Sequence, residues 1–224
     1  MGFQGLLVTE IFYSLQGETS LSGVPFTFIR LSGCNLRCTY CDSAYAFKGG
    51  TRMTEDEVLL KVRGHGARHV LLTGGEPLLQ RGTLPLIRRL KAEGFQVSIE
   101  THGEVSIQEA APLARIIMDI KTPSSGMSRG GFRSNLPHLK PGDEIKFVIA
   151  SSGDYEWAKA LVQSGELPRV EILFSPVMKI SGSPGHVEAM DPRGLAEGIL
   201  RDRLPVRFQL QLHKILWGAE TRGV

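Results

Sequence analysis

The feature that most constrains the fold of this chain is a repeated alternation of apolar, β-branched runs with stretches of helical periodicity. Short strands that are apolar along their whole length are typical of parallel sheets, because helices cover both faces of such a sheet. The pattern predicts strands at 25–31, 69–72, 95–100, 115–120, 144–150, 170–174 and 206–212. It predicts helices at 54–63, 83–93, 155–164 and 192–201, and Thr54 with Glu57 forms a capping box at the first of them.

This order of elements predicts an α/β protein with right-handed crossovers. We expect a partial, modified TIM-like (βα) barrel with a parallel sheet of about six strands. Parallel barrels often run past about 200 residues without dividing. The 224 residues are therefore expected to form a single domain, residues 1–224. Pro and Gly interrupt the pattern between residues 104 and 142, so the elements of that segment are not predicted in detail.

Composition and charge exclude several classes of partner. The chain is 42% hydrophobic, its formal net charge is +3, and it has no run of five like charges, so no nucleic-acid partner is indicated. No segment reaches the length needed to span a bilayer, and the N-terminus lacks the regions of a signal peptide. We therefore expect a cytoplasmic protein with no membrane partner, whose cysteines stay reduced.

Polar and glycine-rich segments follow most of the predicted strands. In parallel barrels the carboxyl ends of the strands meet on one rim, and that rim carries the chemistry of the fold. Loops are polar in general, but glycine pairs and acidic residues after nearly every strand favour a functional rim. The segments are 73–77, 100–103, 119–121, 175–176 and 213–214.

All three cysteines of the chain, Cys34, Cys38 and Cys41, lie in one short segment with the spacing C-x3-C-x2-C. Thiolates are soft ligands that suit zinc and iron–sulfur clusters. Structural zinc sites need four ligands, usually in two separated pairs, and this chain has no fourth cysteine. A [4Fe–4S] cluster normally takes four cysteines, so three would leave one iron open to a ligand that is not protein.

The cysteine spacing, with Tyr40 before the last cysteine, resembles the signature of the radical S-adenosylmethionine (SAM) superfamily. That resemblance implies a [4Fe–4S] cluster held by the three cysteines, SAM bound to the open iron, and a 5′-deoxyadenosyl radical. The segment Gly74-Gly75-Glu76-Pro77 is similar to the second motif of the superfamily, whose backbone receives the SAM amino group. The chain is thus expected to be a single radical SAM domain.

Segments outside these motifs resemble one family of the superfamily. They are EIFYSLQGE at 10–18, CDSAY at 41–45, KTPSSG at 121–126, QLHKILW at 211–217 and RGV at 222–224. Together they are similar to the 7-carboxy-7-deazaguanine synthase family of queuosine and deazapurine biosynthesis, from about residue 8 onward. The resemblance implies a Mg²⁺-dependent lyase that converts 6-carboxy-5,6,7,8-tetrahydropterin to 7-carboxy-7-deazaguanine, with ring contraction and release of ammonia.

The family pattern also implies roles for individual residues. It places the substrate at Leu15, Gln16, Gly17, Glu18, Arg30, Thr73, His213 and Val224. It places SAM at Tyr40, Asp42, Gly74, Gly75, Glu76, Glu100, Thr101, Lys121, Pro123, Ser124, Ser125, Ser175 and Pro176. Ser43 is expected to bind Mg²⁺, and no protein side chain is expected to act as the catalyst, because the radical comes from SAM. A homodimer and a flavodoxin-like or ferredoxin-like electron donor are further expectations.

Elementary chemistry supports part of this assignment. Gln16 and Glu18 complement the donor and acceptor edge of a pterin, and the fork of Arg30 suits a carboxylate. Taken alone, the first two are equally typical of loop caps, and Arg30 of a surface ion pair. The Ser43 hydroxyl is a hard ligand suited to Mg²⁺, although it also suits a turn cap.

The chain departs from the family pattern at two positions. Ser43 stands where the family usually has Thr, so the hydroxyl is kept and the methyl group is lost. His102 stands in Glu-Thr-His-Gly where Glu-Thr-Asn-Gly is common, and the role of this histidine is left open.

Two other classes of protein share part of the pattern. A glycyl-radical activating enzyme has the same cysteine spacing but acts on a protein partner, and it needs no Gln-Gly-Glu segment such as residues 16–18. A zinc-binding interaction protein would hold zinc without iron or sulfide. The activating enzyme is the alternative function.

Overall fold

The computed structural model of the protein describes residues 5–178, 190–219 and 221–224. Its strands are β1 Leu6–Leu15, β2 Pro25–Leu31, β3 Thr51–Met53, β4 His69–Gly74, β5 Gln96–Thr101, β6 Arg115–Ile120, β7 Glu144–Ile149, β8 Glu171–Pro176 and β9 Arg207–Phe208. Its helices are α1 Glu55–His65, α2 Thr83–Ala92, α3 Ser152–Gln163, α4 Pro192–Arg201 and α5 Leu212–Trp217.

The described strands form one sheet in the order β3-β1-β2-β4-β5-β6-β7-β8-β9. All neighbours from β2 to β9 pair in parallel, whereas β1 pairs antiparallel with both β2 and β3. The α/β prediction of a partial, TIM-like barrel is therefore confirmed. The parallel part has seven strands rather than about six, and β9 is only two residues long.

Most predicted elements are confirmed to within three residues at each end. The bounds of β2, β6 and α4 are those predicted, and α1 begins at the predicted capping box of Thr54 and Glu57. The strand predicted at 206–212 is wrong beyond Phe208. The chain leaves the sheet there because the Leu212 amide donates to the carbonyl oxygen of Gly17. Helix α5 begins at Leu212.

The prediction missed β1 and β3, which form the antiparallel edge of the sheet. The side chains of β1 are mostly half-buried and include the polar residues Thr9, Glu10 and Ser14, so β1 lacks the continuously apolar pattern of a buried parallel strand. β3 is three residues long, too short for a periodic signal.

Two apolar clusters lie on opposite faces of the sheet. The larger packs the outward residues of the parallel strands, such as Ile29 and Phe147, against the helices. The smaller lies on the inner face and consists of Phe26, Phe28, Leu71 and Ile117. Because side chains alternate along a strand, the residues two positions after those of this inner cluster also face inward.

The parallel register brings those next residues together at one edge. Arg30 of β2 lies opposite Thr73 of β4, and Asp119 of β6 lies opposite Lys146 of β7. The carboxyl ends of the parallel strands thus carry a polar layer above an apolar floor. Within the described ranges, every helix is too short or too polar to cross a membrane.

Candidate active site

A cavity of about 470 Å³ opens at the carboxyl ends of the parallel strands. Its volume lies within the range of about 300–1,000 Å³ that is usual for small-molecule sites. Most of the predicted site residues line it: Leu15, Gln16, Gly17, Glu18, Arg30, Cys34, Cys38, Tyr40, Cys41, Asp42, Ser43, Thr73, Gly74, Gly75, Glu100, Thr101, Lys121, His213 and Val224. The predicted residues Glu76, Pro123, Ser124, Ser125, Ser175 and Pro176 are not part of its wall.

The cysteine loop follows β2, and its three thiols are free, half-buried and on the cavity wall. The guanidinium of Arg37 donates to the carbonyl oxygens of Cys34 and Leu36, at 2.8 and 2.6 Å. Burial raises the pKa of the Cys38 thiol to about 11 and also raises that of Cys41. These two thiols therefore keep their protons until a metal displaces them. Three thiols of one loop on the same cavity wall, without a fourth cysteine in the chain, fit a [4Fe–4S] cluster with one open iron.

Gly74 and Gly75 pack directly against the cysteine loop. Gly74 has a φ of 135°, a conformation that favours glycine. A Cβ atom on Gly75 would overlap the carbonyl oxygen of Gly33 and lie 2.9 Å from the Cβ of Cys34. The glycine pair thus lets the turn after β4 approach the cysteines, and it exposes backbone rather than side chain to the cavity.

Glu76 lies behind this turn and is fully buried. Its carboxylate accepts hydrogen bonds from the Leu78 amide, the Thr101 hydroxyl and the His102 amide, at 2.9 to 3.0 Å. Burial raises its pKa to about 7. The carboxylate joins the turn after β4 to the end of β5 and is not part of the cavity wall, and the expected contact of Glu76 with SAM stays a prediction.

His102 connects the same turn to the cysteine loop. Its Nδ1 accepts a hydrogen bond from the Glu104 amide at 3.0 Å, so its Nε2 carries the proton. That Nε2 lies 2.8 Å from Oδ1 of Asn35 and 3.2 Å from Oε2 of Glu76. Burial, followed by the charge of Lys121, lowers the pKa of His102 to about 4, so the imidazole is neutral. Sequence reasoning left this residue open, and the structure gives it a bridging position.

The segment after β6 supports the cysteine loop from below. The Lys121 ammonium pairs with Asp119 at 2.9 Å. Thr39 of the cysteine loop donates from its hydroxyl to the Ser124 carbonyl and from its amide to the Ser125 carbonyl. Pro123 begins this short turn. Ser124 and Ser125 therefore hold the cysteine loop through their backbone carbonyl oxygens, and their expected contact with SAM stays a prediction.

The two predicted SAM-contact residues at the end of β8 lie within the strand and are not part of the cavity wall. Ser175 and Pro176 are buried in the strand, and the Ser175 hydroxyl has no hydrogen-bond partner among the described residues. The next two residues, Val177 and Met178, line the cavity. The expected SAM contact at 175–176 stays a prediction, and the residues that follow the strand form the cavity wall at this point.

A second part of the cavity wall is the loop after β1. The Gln16 side chain is buried, and its Oε1 accepts from the Glu18 amide at 3.0 Å, so it caps its own loop while lining the cavity. Glu18 accepts from the Gln211 amide group at 3.0 Å and lies 3.7 Å from Nε2 of His213. Gly17 packs against His213, where a Cβ atom would come within 2.8 Å of the imidazole Nδ1.

Arg30 lies at the end of β2, where its Nε donates to Glu10 at 2.7 Å. Its guanidinium also lies 5.8 Å from the ring centroids of Phe12 and Tyr45. The guanidinium of Arg222 lies 4.0 Å from the centroid of the same Tyr45 ring. Arg30 therefore makes the ion pair that the alternative interpretation expected, and it does so on the cavity wall.

Ser43 lies on the wall beside the last cysteine, with its hydroxyl 3.7 Å from the Cys41 sulfur. It precedes a short turn, but its side chain makes no capping hydrogen bond. Ligand atoms of Glu18, Asp42 and His213 lie within 4.8 Å of one another nearby. Asp42 is already paired with the Lys214 ammonium at 2.7 Å.

Several wall residues were not assigned by sequence reasoning. Lys146 is a lone lysine inside the apolar strand β7, and this isolation is the signal that marks it. Asp119 and Lys214 lie in segments that were predicted to face the rim but received no role. The other unassigned wall residues include Phe12, Phe28, Tyr45, His102, Gln211 and Arg222. Their positions depend on contacts between distant parts of the chain.

Comparison with known proteins gives matches over most of the chain. Residues 28–131 match the model of the radical SAM superfamily. The chain is 44% identical to the 7-carboxy-7-deazaguanine synthase of Koribacter versatilis, over 97% of this chain and 99% of the relative. It is 45% identical to the enzyme of the same name from Chlorobaculum tepidum, over 98% and 97%. Among solved structures it is similar to QueE from Escherichia coli, with a TM-score of 0.73 and 24% identity over 95% of this chain and 96% of that one.

Proposed function

This chain belongs to the 7-carboxy-7-deazaguanine synthase family of the radical SAM superfamily, and from that premise we propose that its cavity binds SAM on the cysteine side and a carboxypterin on the opposite wall. The protein is a radical SAM lyase of deazapurine and queuosine biosynthesis, and the alternative of a glycyl-radical activating enzyme is not favoured. The observation that carries the proposed arrangement is one cavity whose wall includes the free thiols, the glycine pair and polar side chains of the loop after β1.

On the cysteine side, Cys34, Cys38 and Cys41 hold the [4Fe–4S] cluster. When bound, the cluster supplies the electron that cleaves SAM to a 5′-deoxyadenosyl radical. The backbone of Gly74 and Gly75 lies close enough to the cysteines to receive the SAM amino group. Further SAM contacts come from Tyr40, Asp42, Glu100, Thr101 and Lys121, and from Val177 and Met178, which follow the predicted pair.

On the opposite wall, Glu18 accepts hydrogen bonds from the amino edge of the pterin. Burial opposes the ionisation of Glu18, but the charges of Lys146, His213 and Lys214 hold its pKa below the ordinary range, so it stays an acceptor. Arg30 faces the substrate carboxylate, since a guanidinium already paired with Glu10 keeps further donors. The remaining substrate contacts are Leu15, Gln16, Gly17, Thr73, His213 and Val224.

Ser43 is the proposed Mg²⁺ ligand, because its hydroxyl lies on the wall beside Cys41 without a capping hydrogen bond. Waters and substrate oxygens would complete the octahedron that Mg²⁺ requires. Ser43→Ala is expected to raise the Mg²⁺ concentration that gives the half-maximal rate, measured by titration of the reconstituted enzyme. An unchanged Mg²⁺ dependence would remove Ser43 from the metal site.

We further propose that residues 1–224 act as one radical SAM domain in the cytoplasm, where thiols stay reduced. A small flavodoxin-like or ferredoxin-like protein is the proposed electron donor, because the cluster needs a one-electron reductant. The proposed assembly is a homodimer. Sedimentation of the anaerobic protein tests the assembly, and a monomer at micromolar concentration would contradict it.

The proposed function is tested with the anaerobically reconstituted protein, a strong reductant, SAM and Mg²⁺. We expect conversion of 6-carboxy-5,6,7,8-tetrahydropterin to 7-carboxy-7-deazaguanine, without net consumption of SAM. Cys38→Ala is the matched control and should lose iron and product formation together. Iron-loaded wild-type protein that cleaves SAM but forms no product would reject the substrate and leave the superfamily intact. Zinc without iron or sulfide would reject both.

A further inference from the structure

Lys146 is a buried cation at the centre of the site. It lies in the middle of β7, between two residues that pack into the outer core, and its own side chain points to the inner face. Its side chain is 2% exposed, and it lines the cavity. A buried ammonium is costly unless it is paired, so its partners decide what it does.

Three carboxylates surround the Lys146 ammonium. Glu18 is 2.9 Å away, Glu100 is in direct hydrogen-bond contact, and Asp119 is 3.6 Å away. A lysine has three N–H donors, and Lys146 donates hydrogen bonds to Glu18 and Glu100, whereas Asp119 lies at ion-pair distance only. The acids come from three separate parts of the fold: the loop after β1, the end of β5 and the end of β6.

The second oxygens of two of these acids have different hydrogen-bond partners. The second oxygen of Glu18, a proposed substrate contact, accepts from Gln211. The second oxygen of Glu100, a proposed SAM contact, accepts from Thr73 at the end of β4, next to the glycine pair. Asp119 pairs with Lys121 beneath the cysteine loop. Among the described residues, Lys146 has ion pairs to acids of both walls.

We propose that Lys146 is a positioning residue for both ligands at once, because it holds Glu18 for the carboxypterin and Glu100 for SAM in one ion-paired cluster and so couples the binding of the two. This inference rests on the proposed arrangement of the cavity. The first ligand to bind orders the acids that Lys146 shares, so the second ligand finds its own acid already in place. By linkage the effect is the same whichever ligand binds first.

The test measures dissociation constants of the full-length, cluster-loaded protein by equilibrium titration. For the wild type, each ligand is expected to tighten the other by about fivefold or more. In Lys146→Met, the constants for SAM and for carboxypterin should each rise at least about tenfold, and the coupling ratio should fall to about one. Circular dichroism and iron content establish that the variant is folded and loaded.

The matched control is Lys159→Met. Lys159 also pairs with two carboxylates, Glu156 at 3.0 Å and Asp202 at 2.9 Å, but on α3 and away from the cavity. It should leave both dissociation constants and their coupling within about twofold of the wild type. A merely structural lysine would lower the melting temperature in both variants without changing the coupling ratio.

A second variant keeps the test decisive if Lys146→Met does not fold. The double variant Lys146→Met with Glu18→Gln lacks one of the carboxylates that Lys146→Met would leave buried without a cation. It is compared with the single variant Glu18→Gln. We expect SAM to bind about tenfold more weakly to the double variant. Equal SAM affinity in these two proteins, or an unchanged coupling ratio in folded Lys146→Met, would overturn the inference. Wild-type protein that forms no product would instead reject the proposed function.

Discussion

At the scale of single residues, the site depends on polar groups that the solvent does not reach. Glu76 illustrates this, because its carboxylate is fully buried. Its hydrogen-bond donors include the Thr101 hydroxyl and the His102 amide, and the nearby His102 imidazole is neutral. Burial therefore favours its protonated form more than water would. The acid of the glycine motif is thus a structural link between β4 and β5.

The raised pKa of Glu76 predicts a pH dependence of stability. Its pKa is about 7 in the folded protein and 4.5 in an ordinary environment, so the folded state binds the proton more tightly. The contribution is fully present below about pH 4.5 and is lost as the pH rises through 7, by about 3 kcal/mol in total. Glu76→Gln should remove this slope from the free energy of unfolding, measured by denaturant titration of the cluster-free protein. A slope equal to that of the wild type would contradict the assignment.

At the scale of elements, the loop after β1 is held by the amino ends of the barrel strands. The Ser20 hydroxyl donates to Glu144 of β7 at 2.6 Å, and its amide donates to the same carboxylate at 3.2 and 3.3 Å. Arg115 of β6 pairs with this buried Glu144. The loop carries Gln16 and Glu18 to the cavity, so its attachment below the site sets the position of the wall above.

Ser20→Ala is expected to loosen that loop without disturbing the cysteine side. Loss of one hydrogen bond to a charged group is worth about 1.5–3 kcal/mol. We expect the KM for the carboxypterin to rise roughly tenfold and the SAM affinity to stay within about twofold. Ser22→Ala is the control, since Ser22 is exposed in the same loop. Equal effects on both ligands in steady-state and binding measurements would show that the loop does not act on one wall alone.

At the scale of the whole molecule, residues from both ends of the chain close the cavity. Phe12 and Leu15 come from β1, whereas Gln211 and Arg222 come from the last segments. The Arg222 guanidinium stacks 4.0 Å from the Tyr45 ring, and Tyr45 donates to Glu10 of β1. Residues 221–223 are exposed and Val224 is half-buried on the cavity wall, so this contact is a principal attachment of the terminal segment among those that the structure describes.

Arg222→Ala should therefore release the terminal segment while the fold stays intact. A cation–π contact is worth about 0.5–2 kcal/mol, so the dissociation constant of the carboxypterin should rise about 2- to 30-fold. The melting temperature should change by less than about 2 °C, because the residue is exposed. Arg193→Ala on α4 is the control for loss of an exposed arginine. Unchanged substrate affinity in Arg222→Ala would show that the terminal segment is held by other contacts.

Local patterns in the sequence determined the parallel part of the fold and the chemistry of the cysteine loop. Continuous apolar strands, a capping box and three thiols at fixed spacing act over a few residues, so their physical effect can be read without knowing the fold. For that reason β2, β6 and α4 were predicted with their observed bounds, and the cysteines line the cavity. The short edge strand β3 left no such local signal.

The tertiary structure alone decided which polar residues meet across the cavity. Glu76 and Ser175 belong to the expected segments, yet both side chains are buried and neither is part of the cavity wall. Lys146 has no local pattern beyond its isolation in β7, but parallel register and strand alternation bring it to Asp119, and folding of the first loop brings Glu18. The electrostatics of the site depends on distances between charges that are far apart in sequence, and only the packed sheet sets those distances.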